Sequence, residues 1–122
     1  MSDTATTTYE GGCHCGAVRW SLTMPTITKL AECNCSICSK TGWQMAFAPS
    51  AGFTLLQGAD HLTDYQFHKH VIHHLFCDVC GIRSFGRGAG PDGQEWISVN
   101  PRCIDGFEAG DLPVDHFDGR AL

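Results

Sequence analysis

The sequence predicts a mostly β fold in a single domain, on three observations. Apolar and polar residues alternate with period two in several short runs, and no segment holds a helical period over ten residues. The 14 glycines and 5 prolines fall mostly between those runs, where turns belong. Residues 1–9 are polar and Thr-rich and read as a flexible lead, leaving a domain over 10–119. Within it, Val18, Trp20 and Leu22 alternate with Arg19 and Ser21, so Ala17–Thr23 reads as a half-buried strand with Ile27–Cys33 as its partner. Trp43, Met45 and Phe47 alternate in a strand that stops at Pro49. Further strands are expected at Phe53–Gln57, Tyr65–Phe67, Val71–Phe76, Arg83–Phe85, Trp96–Val99 and Val114–Phe117.

The chain has 122 residues, about one domain's worth, and its core has little stability to spare. Eight Lys and Arg against thirteen Asp and Glu give a formal charge of −5, which argues against a phosphate-backbone binder, so no nucleic-acid partner is expected. No apolar stretch approaches the roughly 18 residues that would span a bilayer, so no membrane partner is expected either. The start has no basic segment followed by an apolar one, and a cytoplasmic location is expected. In that reducing setting grouped cysteines bind metal rather than form disulfides.

Seven of the eight cysteines fall into three groups: Cys13 and Cys15; Cys33, Cys35 and Cys38; Cys77 and Cys80. On extended backbone, residues i and i+2 share a face, so Cys13 with Cys15, and Cys33 with Cys35, can each aim two sulfurs at one point. Cys77 and Cys80 have the gap of a metal-binding turn, and Gly81 after them permits a positive φ. Structural zinc takes four protein ligands, whereas catalytic zinc takes three and leaves a position open. The favoured division joins Cys13, Cys15, Cys77 and Cys80 in a closed site and leaves Cys33, Cys35 and Cys38 as an open one. Cys103 or a histidine in the fourth position would instead close both.

Three segments carry a resemblance: Gly11-Gly12-Cys13-His14-Cys15-Gly16, Cys33-Asn34-Cys35-Ser36-Ile37-Cys38, and Phe76-Cys77-Asp78-Val79-Cys80-Gly81. In this order they resemble the signatures of the glutathione-dependent formaldehyde-activating enzyme family, which includes centromere protein V. The resemblance implies small antiparallel sheets stapled by two zinc ions per chain. It implies a structural zinc on Cys13, Cys15, Cys77 and Cys80, and a catalytic zinc on Cys33, Cys35 and Cys38. It also implies a carbon–sulfur lyase whose partners are a glutathione-like thiol and an aldehyde, as in the synthesis of S-(hydroxymethyl)glutathione. Asn34 and Ser39 depart from the family pattern, which often has His and Arg there. The alternative reading is a non-catalytic, zinc-stabilised module that binds a protein.

Arg83, Lys40 and Trp43 are candidate substrate-binding residues, the two cations for a substrate carboxylate and the indole as a pocket wall. Arg87 and Lys69 are weaker cationic candidates, and Phe47, Phe85 and Trp96 are core or wall. The cluster His68, His70, His73 and His74 reads first as a solvated strand face, with His74 the member to consider for a functional role. His14 should point away from the metal that its neighbours share. Cys103 reads as a buried free thiol.

Overall fold

The computed structural model describes residues 5–67, 72–90 and 93–121. Among the described residues, ten strands and one short α-helix run in the order β1 Thr6–Gly12, β2 Arg19–Pro25, β3 Leu30–Cys33, α1 Ser36–Thr41, β4 Ala46–Pro49, β5 Phe53–Gln57, β6 Leu62–Tyr65, β7 Ile72–Cys77, β8 Phe85–Ala89, β9 Glu95–Val99 and β10 Val114–Phe117. They form a three-stranded sheet in the order β1-β2-β5, a five-stranded sheet in the order β4-β9-β8-β7-β6, and the pair β10-β3. The mostly β expectation holds. The first two sheets are antiparallel, and β3 with β10 is parallel.

The core lies between the two larger sheets. Trp20, Leu22 and Met24 project from alternate positions of β2 onto Phe85, Ile97 and Val99 of the five-stranded sheet. Phe53 joins the layers, its ring centroid 6.0 Å from that of Trp20 and 4.8 Å from that of Phe85. Burial of these side chains provides most of the driving force, at roughly 25 cal/mol per Å² of apolar surface. The Trp20 indole N–H donates to Ser84 Oγ at 3.0 Å, so this buried polar group is satisfied.

Two expectations are corrected here. The supposed lead enters the sheet at Thr6, because β1 pairs with β2 from Thr6↔Pro25 to Gly12↔Arg19. Its polarity fits this strand, since Thr7 and Thr8 hydrogen-bond the hydroxyls of Thr26 and Thr23 at 2.7 and 2.8 Å, and β-branched Thr suits extended backbone. Second, β3 is not the partner of β2. The edges of β2 are taken by β1 and β5, while β3 lies beside β10 and makes one bridge from Ala31 to Met45.

Smaller shifts follow the turns. The strand expected at Tyr65–Phe67 ends at Tyr65, the one expected at Arg83–Phe85 begins at Phe85, and the one expected from Val71 begins at Ile72, with Val71 outside the described residues. The alternating run at Trp43 becomes a strand only from Ala46. Ahead of it α1 ends at Gly42, whose φ of 66° closes the helix. Among the described residues no helix is long and apolar enough to cross a membrane.

Candidate metal centres

The sulfurs of Cys13, Cys15, Cys77 and Cys80 lie within 4.8 Å of one another. Cys13 and Cys15 follow the end of β1, and Cys77 ends β7, so this cluster ties the three-stranded sheet to the five-stranded one. Gly81 closes the Cys77 turn at φ 78°, donating its N–H to the Cys77 carbonyl at 2.8 Å, as the spacing predicted. The Cys15 sulfur stands 3.7 Å from both Cys13 and Cys77. A tetrahedral ion with metal–sulfur bonds of ~2.3 Å spaces its sulfurs by about 3.8 Å, so the quartet fits such an ion. Backbone N–H groups of Val18 and Val79 donate to the sulfurs of Cys13 and Cys77, each at 3.3 Å; burial pushes the Cys13 thiol up, and the Val18 N–H with the Cys15 and Cys77 sulfurs brings it below the ordinary range. Burial pushes the Cys80 thiol up, but N–H groups of Cys15 and Ile82 and the neighbouring sulfurs bring it down to about 6. His14 is exposed, as expected from its place between two converging residues.

Cys33, Cys35 and Cys38 form a second cluster, also with all sulfurs within 4.8 Å. Here the local structure is the end of a strand running into a helix: Cys33 closes β3, Cys35 caps α1, and Cys38 lies buried in α1. The Cys35 N–H donates to the Cys33 sulfur at 3.4 Å, and the Cys38 N–H to the Cys35 sulfur at 3.5 Å. Burial, with the adjoining Cys35 and Cys33 sulfurs, pushes the Cys38 thiol up to about 12, although Trp43 opposes it. Among the described residues, no fourth His, Cys, Asp or Glu joins this trio.

A cavity of about 510 Å³ opens beside the trio, bordered by Cys33, Cys38, Asn34, Ser39, Trp43 and Asp118 among others. The chain's end forms part of its wall, a contribution that sequence reasoning missed. The Asn34 side chain donates to Asp118 Oδ1 at 2.8 Å and accepts from the Arg120 N–H at 2.9 Å. Ser39 Oγ lies 3.5 Å from the Arg120 guanidinium. Asn34 and Ser39 thus both contact the C-terminal segment. Gly119 approaches so closely that an added Cβ would collide with the Cys33 sulfur. The run His116-Phe117-Asp118-Gly119 was the available signal, but nothing local in it names Asn34 as its partner.

The candidate substrate residues separate. Trp43 is buried and borders the cavity. Lys40 is exposed in the last turn of α1 and, like Arg83, is absent from the cavity wall. Arg83 stacks on Trp43, its guanidinium carbon 3.8 Å from the ring centroid. Arg87 pairs with Glu95 at 3.2 Å. Phe85 is core, whereas Phe47 is 43% exposed and meets Phe117 edge to face. Cys103 is half-buried, its thiol pushed up to about 11, mainly by burial.

His68, Lys69 and His70 lie outside the described residues. His73 and His74 point to opposite faces of β7, as period two requires. His73 is half-buried, with its side chain reaching solvent, and meets Asp64 at 2.6 Å, while His74 is buried and donates from Nδ1 to the Tyr65 carbonyl at 2.8 Å. A solvated face therefore describes His73 but not His74.

The family model for the glutathione-dependent formaldehyde-activating enzyme matches residues 8–115. A curated protein of Halomonas elongata, named "Putative glutathione-dependent formaldehyde-activating enzyme", is 39% identical over 61 residues. That stretch is 47% of this chain and 39% of the relative, so the chain spans well under half of the curated relative it matches. A crystal structure of a Rhodobacter sphaeroides protein superposes with a TM-score of 0.75 at 30% identity, covering 86% of this chain and 98% of that one.

Proposed function

The chain belongs to the glutathione-dependent formaldehyde-activating enzyme family, and from that premise we propose that it is a zinc-dependent carbon–sulfur lyase acting on thiol–aldehyde adducts. Cys13, Cys15, Cys77 and Cys80 hold a structural zinc, and Cys33, Cys35 and Cys38 hold a catalytic one. The observation that carries this reading is the inequality of the two clusters. One offers four sulfurs, the other three beside a cavity of about 510 Å³. The all-sulfur donor set suits zinc, a borderline-soft ion.

Zinc bound by the trio supplies Lewis acidity and keeps a coordinating thiol deprotonated. The remaining work falls to the chain. Cys33, Cys35 and Cys38 present three thiolates from a rigid strand end and helix turn. The cavity beside Cys38 receives a small thiol, of the glutathione type, together with an aldehyde. The substrate sulfur forms a bond to the carbonyl carbon, the carbonyl π pair moves to oxygen, and the proton lost by the thiol ends on that oxygen by way of solvent at the open mouth. Release of the aldehyde is the reverse. Thiols add to aldehydes unaided, so the gain comes from orientation, local concentration and thiolate supply.

The test is the rate of S-(hydroxymethyl)glutathione formation and breakdown with zinc-loaded protein, against the spontaneous rate. Acceleration in both directions that Cys35→Ala abolishes supports the lyase. A rate equal to background for glutathione and for smaller thiols overturns it and leaves the non-catalytic, protein-binding module.

A further inference from the structure

Among the described residues, three buried side-chain nitrogens lack a partner in full hydrogen-bond geometry: Trp43 Nε1, which nonetheless acts as a donor on the Cys38 thiol, Arg83 Nε and Arg83 Nη1. All three are donors, and all belong to one stacked pair of side chains. A buried donor left unpaired costs ~1–3 kcal/mol, and more when it is charged. Three gathered in one place mark a spot that calls for negative charge. The adjoining groups are the sulfurs of the three-cysteine cluster. Trp43 and Cys38 border the same cavity, and Cys38 and Cys35 act electrostatically on the Arg83 guanidinium.

The fold makes room for this cation. Tyr65, His74, Gly86, Ser98 and Phe47 form one row across the five-stranded sheet, and Gly86 leaves a gap in it. A Cβ there would stand 3.4 Å from Arg83 Nη2, 3.2 Å from Ser98 Oγ and 3.0 Å from the His73 carbonyl. Burial pulls the guanidinium down to about 10, against the opposing pull of Cys38 and Cys35, so it stays charged at neutral pH. Arg83 Nε and Nη1 are sealed from solvent, and Arg83 is absent from the cavity wall. That location suits a partner for the sulfurs better than an anchor for a substrate carboxylate.

We infer that Arg83, held flat by Trp43, is the counter-charge of the loaded three-cysteine centre and disposes it to take an anionic thiolate, rather than neutral water, as its fourth ligand. This rests on the proposed reading of that centre as an open metal site. Three thiolates and a divalent ion sum to −1, and a fourth thiolate makes −2. A fixed cation at hand offsets that charge through space, and the Trp43 N–H acts beside it on the Cys38 sulfur. Arg83 is thus a positioning residue that acts through the cysteines.

Cobalt(II) tests this without turnover, because its absorption bands report on each sulfur centre. Wild type, Arg83→Gln, Arg83→Lys and Trp43→Phe are loaded with Co²⁺, and the hold on the second ion is measured by chelator competition without thiol. Glutathione and 2-mercaptoethanol are then titrated in. Arg83→Gln is expected to weaken the second ion by ~10–100-fold, the usual cost of losing a partner of metal ligands. Its thiol titration should move to at least ~10-fold higher concentration. Arg83→Lys should recover part of both losses, and the four-cysteine bands should not change. Should Arg83→Gln misfold, Arg83→Lys and Trp43→Phe, each with an intermediate loss confined to the second centre, decide the matter. Wild-type ion affinity and thiol titration in the Arg83 variants would overturn the inference. If thiol leaves the wild-type bands unmoved, the lyase reading falls while the chelator competition still judges Arg83. If wild type takes up no second ion, both fall.

Discussion

Asn34, set between two cysteines of the second centre, donates its side-chain N–H to Asp118 Oδ1 at 2.8 Å, across 84 residues of chain. Its Oδ1 accepts the Arg120 N–H in return, so one exposed amide fastens the C-terminal segment onto the cluster. Asn34→Ala removes both bonds, a loss of about 1 kcal/mol each at most for exposed groups. The expected result is metal affinity at the second centre lowered by roughly 10-fold, as for other ligand-supporting contacts, with the first centre unaffected. Competition with a chelator checks it, and equal weakening of both centres would contradict it.

The first centre staples sheet to sheet, whereas the second joins a strand end to a single helix turn. Structural zinc brings an apparent ~10–16 kcal/mol, comparable to the ~5–15 kcal/mol net stability of a whole domain. Cys77→Ser is therefore expected to abolish cooperative folding. Cys38→Ser should fold with one bound ion in place of two. Metal counts by mass spectrometry and circular dichroism melts distinguish these outcomes. Equal stability of the two variants would count against the division of roles.

Ser84→Ala leaves the Trp20 indole N–H buried without its acceptor, at a cost of ~1–3 kcal/mol. Urea denaturation of the metal-loaded protein should show a lowered midpoint with unchanged slope. A midpoint equal to that of wild type would mean that another acceptor replaces Ser84.

Burial holds His74 below the ordinary histidine range. The Tyr65 carbonyl and Asp64 oppose that shift, while Arg83 and His73 reinforce it. The unfolded chain then binds the proton more readily, so stability is full above the unfolded value of about 6.5 and falls as pH drops through the folded one. The slope from this group reaches at most about 1.4 kcal/mol per pH unit. His74→Gln should flatten the decline in denaturation midpoint between pH 6.5 and 5 relative to wild type, with all cysteines retained in both. Parallel declines would exclude His74 as a source.

The sequence by itself determined the features that lie within a few residues of one another. Alternation at Val18, Trp20 and Leu22 fixes the inward face of β2, since period two is a property of the strand alone. The spacing of Cys77, Cys80 and Gly81 fixes a turn, and the φ of 78° at Gly81 bears that out. Ligand counting grouped the seven thiols as four and three, and the sulfurs do gather that way.

Only the tertiary structure decided which segments meet. A Thr-rich β1 has no apolar alternation to announce it, and its strand exists because β2 offers matching hydroxyls and backbone partners. α1 spans six residues, too few for a helical period to register. β3 looked like a neighbour of β2 by proximity in sequence, yet β10 arrives from some 80 residues away to lie parallel to it. Likewise the stacking of Arg83 on Trp43 joins positions 40 apart. The reason is common to all four: a local pattern encodes which face is buried and where the chain turns. Pairing is a competition among all segments, resolved when closure entropy, burial and hydrogen bonding are settled together over the whole chain.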